Sequence, residues 1–127
     1  MNMAAASLRR FVRGFAYAGK GLLVLVSTQR NFRFHLLAAT FVVAAGVYFR
    51  VAAWEWAALL ICIFWVLGME ALNSAMEFLA DRVSAEHDPL IARSKDTAAA
   101  AVLLSAIGAA LVGLIVFLPH LGHGAWS

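Results

Sequence analysis

The chain has 127 residues, 64% of them hydrophobic and 13% charged, with a formal charge of +3 and a mean hydropathy of +0.85. Soluble domains are about half apolar and a quarter charged, and so short a chain has too little interior to hide the excess. An ordinary soluble enzyme, a disordered tail and a disulfide scaffold are excluded; the single Cys62 allows neither an intrachain disulfide nor a cysteine zinc site.

What remains is a small all-α integral membrane protein, one domain over 1–127. The first element expected is a helix over about 7–28. Its apolar positions include Leu8, Phe11, Val12, Phe15, Leu22 and Leu23, with Arg9, Arg10, Arg13 and Lys20 beside them. A signal peptide needs one unbroken apolar block and a small-residue cleavage site. The interrupted stripe with basic neighbours suits an amphipathic helix lying on the membrane surface.

Three apolar stretches follow, near 34–48, 56–72 and 98–118. A crossing helix needs roughly 20 residues. The third stretch meets this alone, while the first two borrow their flanks, Trp54 and Trp56 serving as interfacial anchors. Membrane helices are therefore expected at about 32–50, 54–80 and 96–118, the last capped by Ser94 or Asp96. Thr97, Ala101, Ser105, Ala109 and Gly113 recur at every fourth place. Such a stripe lets a second helix approach closely, within one chain or between copies.

Basic residues give the orientation. Arg9, Arg10, Arg13, Lys20, Arg30 and Arg33 precede the first span, and Arg50 alone lies in the first connection. Arg82, Arg93 and Lys95 lie in the second connection, and no Lys or Arg follows the third span. Nine against one puts the N-terminus and the 80–96 connection in the cytoplasm. The 50–55 turn and the chain from 120 onward then face outward.

Chemistry concentrates in the segment 68–81. Glu70, Asn73, Glu77 and Asp81 stand at i, i+3, i+7 and i+11. At about 100° per residue they share one helix face within about 80°. Ser74 lies beside them, with Leu72, Met76 and Leu79 opposite. Glu70 lies ~21 Å along the helix from Trp56, in the inner leaflet near the headgroups, and Glu77 ~10 Å nearer the cytoplasm. The deeper acid is placed to take a proton from a lipid hydroxyl. The shallower one is placed to hold Mg²⁺ on nucleotide phosphates. Lys95, Asp96, Arg10 and Arg13 are available to a polyphosphate, a phosphoryl-transfer layout without a glycine-rich loop.

Plainer readings stand beside this one. A lone Glu in a span often pairs helices. Glu77 and Asp81 also describe a solvated helix end, and Lys95 with Asp96 a loop pair with capping duty. His35, after Arg33, is most simply interfacial, and His120 and His123 are too sparse for a metal site.

Glu70-Ala71-Leu72-Asn73-Ser74-Ala75-Met76-Glu77, then Asp81, then Ser94-Lys95-Asp96 with Ala99-Ala100-Ala101-Val102-Leu103, resembles the small prokaryotic diacylglycerol kinase family. Tyr17-Ala18-Gly19-Lys20-Gly21-Leu22 is similar to it as well. The resemblance implies a multi-pass protein of the bacterial cytoplasmic membrane, N-terminus inside. It implies a homotrimer with active sites shared between protomers, transferring the γ-phosphate of ATP to a membrane lipid alcohol with Mg²⁺. Carried onto this chain, it makes Glu70 the general base, supported by Asn73, and Glu77 a metal ligand. Arg10, Tyr17, Glu77, Glu86, His87, Asp88, Lys95 and Asp96 would meet the nucleotide; Asn31, Arg33, Glu70 and Ser74 would meet the lipid. The family's second metal-binding Glu falls here on Gln29, which offers a carbonyl without charge. The segment Arg30-Asn31-Phe32-Arg33-Phe34-His35 resembles the undecaprenol-kinase branch, so undecaprenol is the favoured substrate and diacylglycerol the alternative.

Two other classes compete. A small transporter would need a continuous polar path, which the outer half of the second span, 57–67, does not offer. A non-catalytic helical assembly draws its best argument from Gln29.

Overall fold

The computed structural model describes residues 2–83 and 87–123. They form four helices: α1 Met3–Thr28, α2 Arg30–Phe49, α3 Ala53–Val83 and α4 Pro89–His123. Three segments are long and apolar enough to cross a membrane: Arg30–Phe49, Ala53–Val83 and Pro89–Gly122. At 1.5 Å per residue, α3 is about 46 Å long and α4 about 52 Å. Both outreach the ~30 Å of hydrocarbon, so their ends stand in the headgroups or beyond. Phe64, Leu104 and Ile115 are about 70% exposed in the single chain, as side chains bathed in lipid are.

One extended residue, Gln29 (φ −100°, ψ 105°), separates α1 from α2. The cause is local. Ser27 Oγ donates to Leu23 O at 2.6 Å, and Thr28 Oγ1 donates to Val24 O at 2.7 Å. Hydroxyls bonding back to the preceding turn weaken a helix there. Gln29 N–H still donates to Leu25 O, and its carbonyl accepts from Arg33 N–H. One residue thus closes α1 and opens α2.

Arg50 ends α2 in the left-handed conformation, at φ 51° and ψ 51°. Its N–H donates to Val47 O at 3.3 Å, and Val51 N–H donates to Gly46 O at 3.2 Å. This satisfies the last carbonyls as a Schellman turn does and drops Val51 into the core.

The start of α4 corrects the expectation. The helix begins at Pro89, not near 96, and Ser94 and Asp96 lie inside it. Asp88 is the cap: its Oδ1 accepts from Leu90 N–H at 2.8 Å. A capping carboxylate followed by proline at the first helical position starts a helix wherever it occurs; hydropathy rises only later. Arg93, Lys95 and Asp96 therefore sit on helical turns rather than in a loop. At its other end α4 runs through Pro119 to His123.

The core lies toward the 50–55 end. Val51, Leu59 and Val116 are buried there, with Val42, Phe49, Trp56 and Phe117 packed around them. Phe49 stands 6.0 Å from the Phe117 ring and 6.1 Å from that of His120. His120 Nε2 and Glu55 Oε2 are hydrogen-bonded at 2.9 Å, joining α4 to the first turn of α3. A polar pair in this setting costs less when bonded than either group would alone.

Gly46 makes the closest approach. A Cβ there would stand 2.6 Å from Trp56 Cη2 and 2.9 Å from Cζ2. Gly46→Ala is expected to push the indole aside and to cost about 1–3 kcal/mol, the usual cost of overpacking. Thermal unfolding in detergent checks this: a lowered Tm is expected, and an unchanged one would show that the α2–α3 contact yields freely.

Candidate active site

Below that core, α3 inverts the usual pattern. Its polar face turns inward: Glu70 is 3% exposed, Asn73 7% and Ser74 1%. Ala80 is buried on the same side and Glu77 is half-buried. Leu72, Leu79 and Met76 face outward. Outside is lipid and inside is protein, so this is the arrangement expected of polar residues in a membrane helix.

His35 of α2 faces the deepest of them. Its Nε2 stands 3.9 Å from Glu70 Oε2, close enough for electrostatic contact but too long for a hydrogen bond. Asn73 Oδ1 and Ser74 Oγ are fully buried and have no hydrogen-bond partner among the described residues. Each such atom costs about 1–3 kcal/mol. Native proteins tolerate few of them, and water, an ion, a ligand or a neighbouring chain supplies the missing bond.

Further along α3, Asp81 Oδ1 accepts from Lys95 Nζ at 3.2 Å. The pair is largely exposed, so it adds little to stability, but it holds a cation at the end of the acidic face. Asp81 lies ~16 Å along the helix from Glu70.

The other expected site residues are more scattered. Gln29 is the half-buried link between α1 and α2. Its Nε2 donates to Thr28 Oγ1 at 3.0 Å, leaving its carbonyl as the acceptor end. Arg10 and Tyr17 are exposed on α1, with Lys20 Nζ 5.7 Å from the Tyr17 ring centroid. Asn31 and Arg33 are exposed on the first turn of α2. His87 and Asp96 are exposed, Asp88 caps α4, and Glu86 lies outside the described residues. Among the described residues, none of these side chains bonds to the Glu70–Glu77 face within the single chain.

Sequence reading missed His35 as a neighbour of Glu70. The usable signal was depth: two ionisable residues in adjacent spans on the same side of the membrane tend to meet. It also missed the Asp81–Lys95 link, although opposite charges at the facing ends of consecutive helices predict one.

Among the described residues no three His, Cys, Asp or Glu side chains gather into a metal cage. Mg²⁺ does not need one: it binds through one or two carboxylates and takes its other oxygens from phosphates and water. Glu77 is half-buried on the inward face, and Gln29 spends its side-chain amide N–H on Thr28, so each offers an oxygen of the kind Mg²⁺ takes. In chemical terms the face offers a buried carboxylate, a second acid about two turns further along α3, and a lysine beyond it.

A family model described as prokaryotic diacylglycerol kinase matches residues 16–117. The undecaprenol kinase of Bacillus subtilis (strain 168) is 37% identical over 114 residues, covering 90% of this chain and 93% of that protein. The diacylglycerol kinase of Synechocystis is 38% identical over 108 residues, covering 84% of this chain and 62% of that longer protein. The diacylglycerol kinase of Escherichia coli (strain K12) is 31% identical over 113 residues, covering 89% and 93% respectively.

Proposed function

We propose a lipid kinase from one premise: the chain belongs to the prokaryotic diacylglycerol kinase family. It transfers the γ-phosphate of ATP to the hydroxyl of a membrane lipid alcohol at the cytoplasmic face of the bacterial inner membrane. The observation that carries the reading is the inward face of α3, where a buried carboxylate stands beside two buried polar atoms without a partner among the described residues.

The steps follow from the residues. The lipid hydroxyl arrives from the bilayer beside Glu70, and the Glu70 carboxylate accepts its proton as the hydroxyl oxygen bonds to the γ-phosphorus. The bond from that phosphorus to the β,γ-bridging oxygen breaks, ADP leaves, and Glu70 returns its proton to water. Asn73 and Ser74 orient the hydroxyl with atoms otherwise unpaired. Glu77 and the Gln29 carbonyl would hold the nucleotide's Mg²⁺, whose chemistry there would be to neutralise phosphate charge. Lys95 faces the phosphates; Arg10, Tyr17, His87, Asp88 and Asp96 complete the nucleotide's surroundings, with Glu86 in the adjoining connection.

The favoured acceptor is undecaprenol, giving undecaprenyl phosphate. Near full-length similarity to an undecaprenol kinase supports this, as does the 30–35 segment. Diacylglycerol is the second reading, supported by the family's other members. The working form is a homotrimer with shared sites. An open groove beside α4, lined by Trp65, Met69, Ala101, Ser105 and Gly108, supports a close helix contact between copies. In this reading α1 lies on the cytoplasmic surface, its arginines toward anionic headgroups.

Purified protein in lipid–detergent micelles, offered labelled ATP with undecaprenol or diacylglycerol separately, tests the reading. Phosphate is expected on undecaprenol. Transfer to diacylglycerol alone would overturn the substrate choice, and transfer to neither by folded protein would overturn the kinase. Gln29→Glu adds a charge beside the metal and is expected to lower the Mg²⁺ concentration for half-maximal rate severalfold. An unchanged Mg²⁺ dependence would remove Gln29 from the metal site.

A further inference from the structure

Glu70, Asn73, Glu77 and Asp81 share one face of α3, and the lipid-kinase reading uses all of them but Asp81. Asp81 Oδ1 accepts from Lys95 Nζ at 3.2 Å. The bond joins the last turn of α3 to the second turn of α4. The register of Lys95 is fixed from its own side, since the Asp88 cap and Pro89 set where α4 begins.

The pairing is selective. Among the described residues Lys95 is the one lysine or arginine held in an ion pair. Arg82 follows Asp81 directly and Arg93 stands two residues before Lys95, both exposed. General attraction between the charged ends of α3 and α4 would engage them as readily. Asp81 also stands against its own helix. It lies in the last turn of α3, where the backbone dipole disfavours an acid. A residue that breaks a local rule without serving stability marks a functional position. Stability is not served here: the side chains are 39% exposed for Lys95 and 69% for Asp81, and so open a pair contributes little to folding. What the bond does is fix where the ammonium stands.

We propose that Asp81 is a positioning residue for the nucleotide: it anchors Lys95 at the end of the acidic face, so that the ammonium meets the phosphate being transferred. The inference rests on the lipid-kinase reading and adds a residue to its nucleotide side. Lysine carries three N–H donors on a flexible four-carbon stem. With one donor spent on Asp81, the stem stops swinging and the others stay free for phosphate oxygens. Asp81 also gives the ammonium a partner other than Glu77, which lies four residues back, ~6 Å along the axis. Asp81 itself touches neither lipid nor phosphate and acts through Lys95.

A double-mutant cycle on the full chain in lipid–detergent micelles tests the role. Lys95→Met is expected to lower kcat about 10²- to 10³-fold, the range for losing one donor to developing charge. Asp81→Ala is expected to lower kcat about tenfold, by misplacing that donor. Asp81→Asn keeps an acceptor oxygen and is expected to lose less. In the Lys95→Met background Asp81→Ala is expected to cost nothing further, because the group it positions is gone. The Tm of Asp81→Ala is expected to match wild type, as an exposed pair implies. Losses that multiply in the double variant, a wild-type kcat in Asp81→Ala, or a fall in kcat that tracks a fall in Tm would overturn the proposal.

Calorimetric binding without lipid separates this inference from the kinase reading. The probes are a non-hydrolysable ATP analogue and ADP, each with Mg²⁺. Asp81→Ala is expected to weaken binding of the analogue severalfold and to leave ADP, which lacks the phosphate Lys95 meets, bound as in wild type. Absence of transfer by wild type with that contrast intact would fail the kinase reading and leave Asp81 its role at the phosphate. Loss of the contrast in protein that does transfer phosphate would overturn the role of Asp81 alone.

Discussion

An acid has to be kept inside a helix built for hydrocarbon, and the rest of the molecule is arranged around that. Ionisable residues at the centre of a membrane helix cost about 2.5–3.5 kcal/mol on insertion scales. Glu70 avoids the lipid by facing inward, and it takes Asn73 and Ser74 with it. Turning them inward leaves two buried atoms unpaired among the described residues. At those two positions water, a substrate hydroxyl or a neighbouring chain can supply the missing bond. Differential binding of this kind is where catalytic site and stability part company.

The two ends of the bundle divide the work. Near the 50–55 turn, Val51, Leu59 and Val116 pack densely, Trp56 lies on Gly46, and Glu55 bonds to His120. There polar groups are satisfied and apolar ones interlock, so the helices are fixed relative to one another. At the other end the acids gather along one face of α3, and the Asp81–Lys95 pair is exposed. Gln29 serves the same division, since a one-residue break frees α1 to leave the axis of α2.

The three membrane helices were legible because hydropathy is a sum over many residues and tolerates local noise. The Glu70 face was legible because i, i+3, i+7 spacing within one helix fixes an angle whatever the tertiary structure. The start of α4 was not read correctly: the Asp88–Pro89 cap sits in a polar stretch that looks like loop, and capping chemistry outweighs composition there. His35 beside Glu70 and Glu55 beside His120 escaped notice for a different reason. Periodicity describes one helix at a time, and these partners lie on different helices. The break at Gln29 depends on two consecutive hydroxyl residues, Ser27 and Thr28, turning back on their own helix, a detail that average propensities wash out.

The proposed mechanism turns on Glu70 as the base. The most direct measurement is the rate of phosphate transfer to lipid by Glu70→Gln, compared with wild type in protein of the same helix content and oligomeric state. The substitution keeps the shape and removes the proton acceptor. A fall of about 10²–10⁴-fold is predicted, the range for removal of a general base, with nucleotide binding retained. A variant that folds, binds nucleotide and transfers phosphate at close to the wild-type rate would contradict the account.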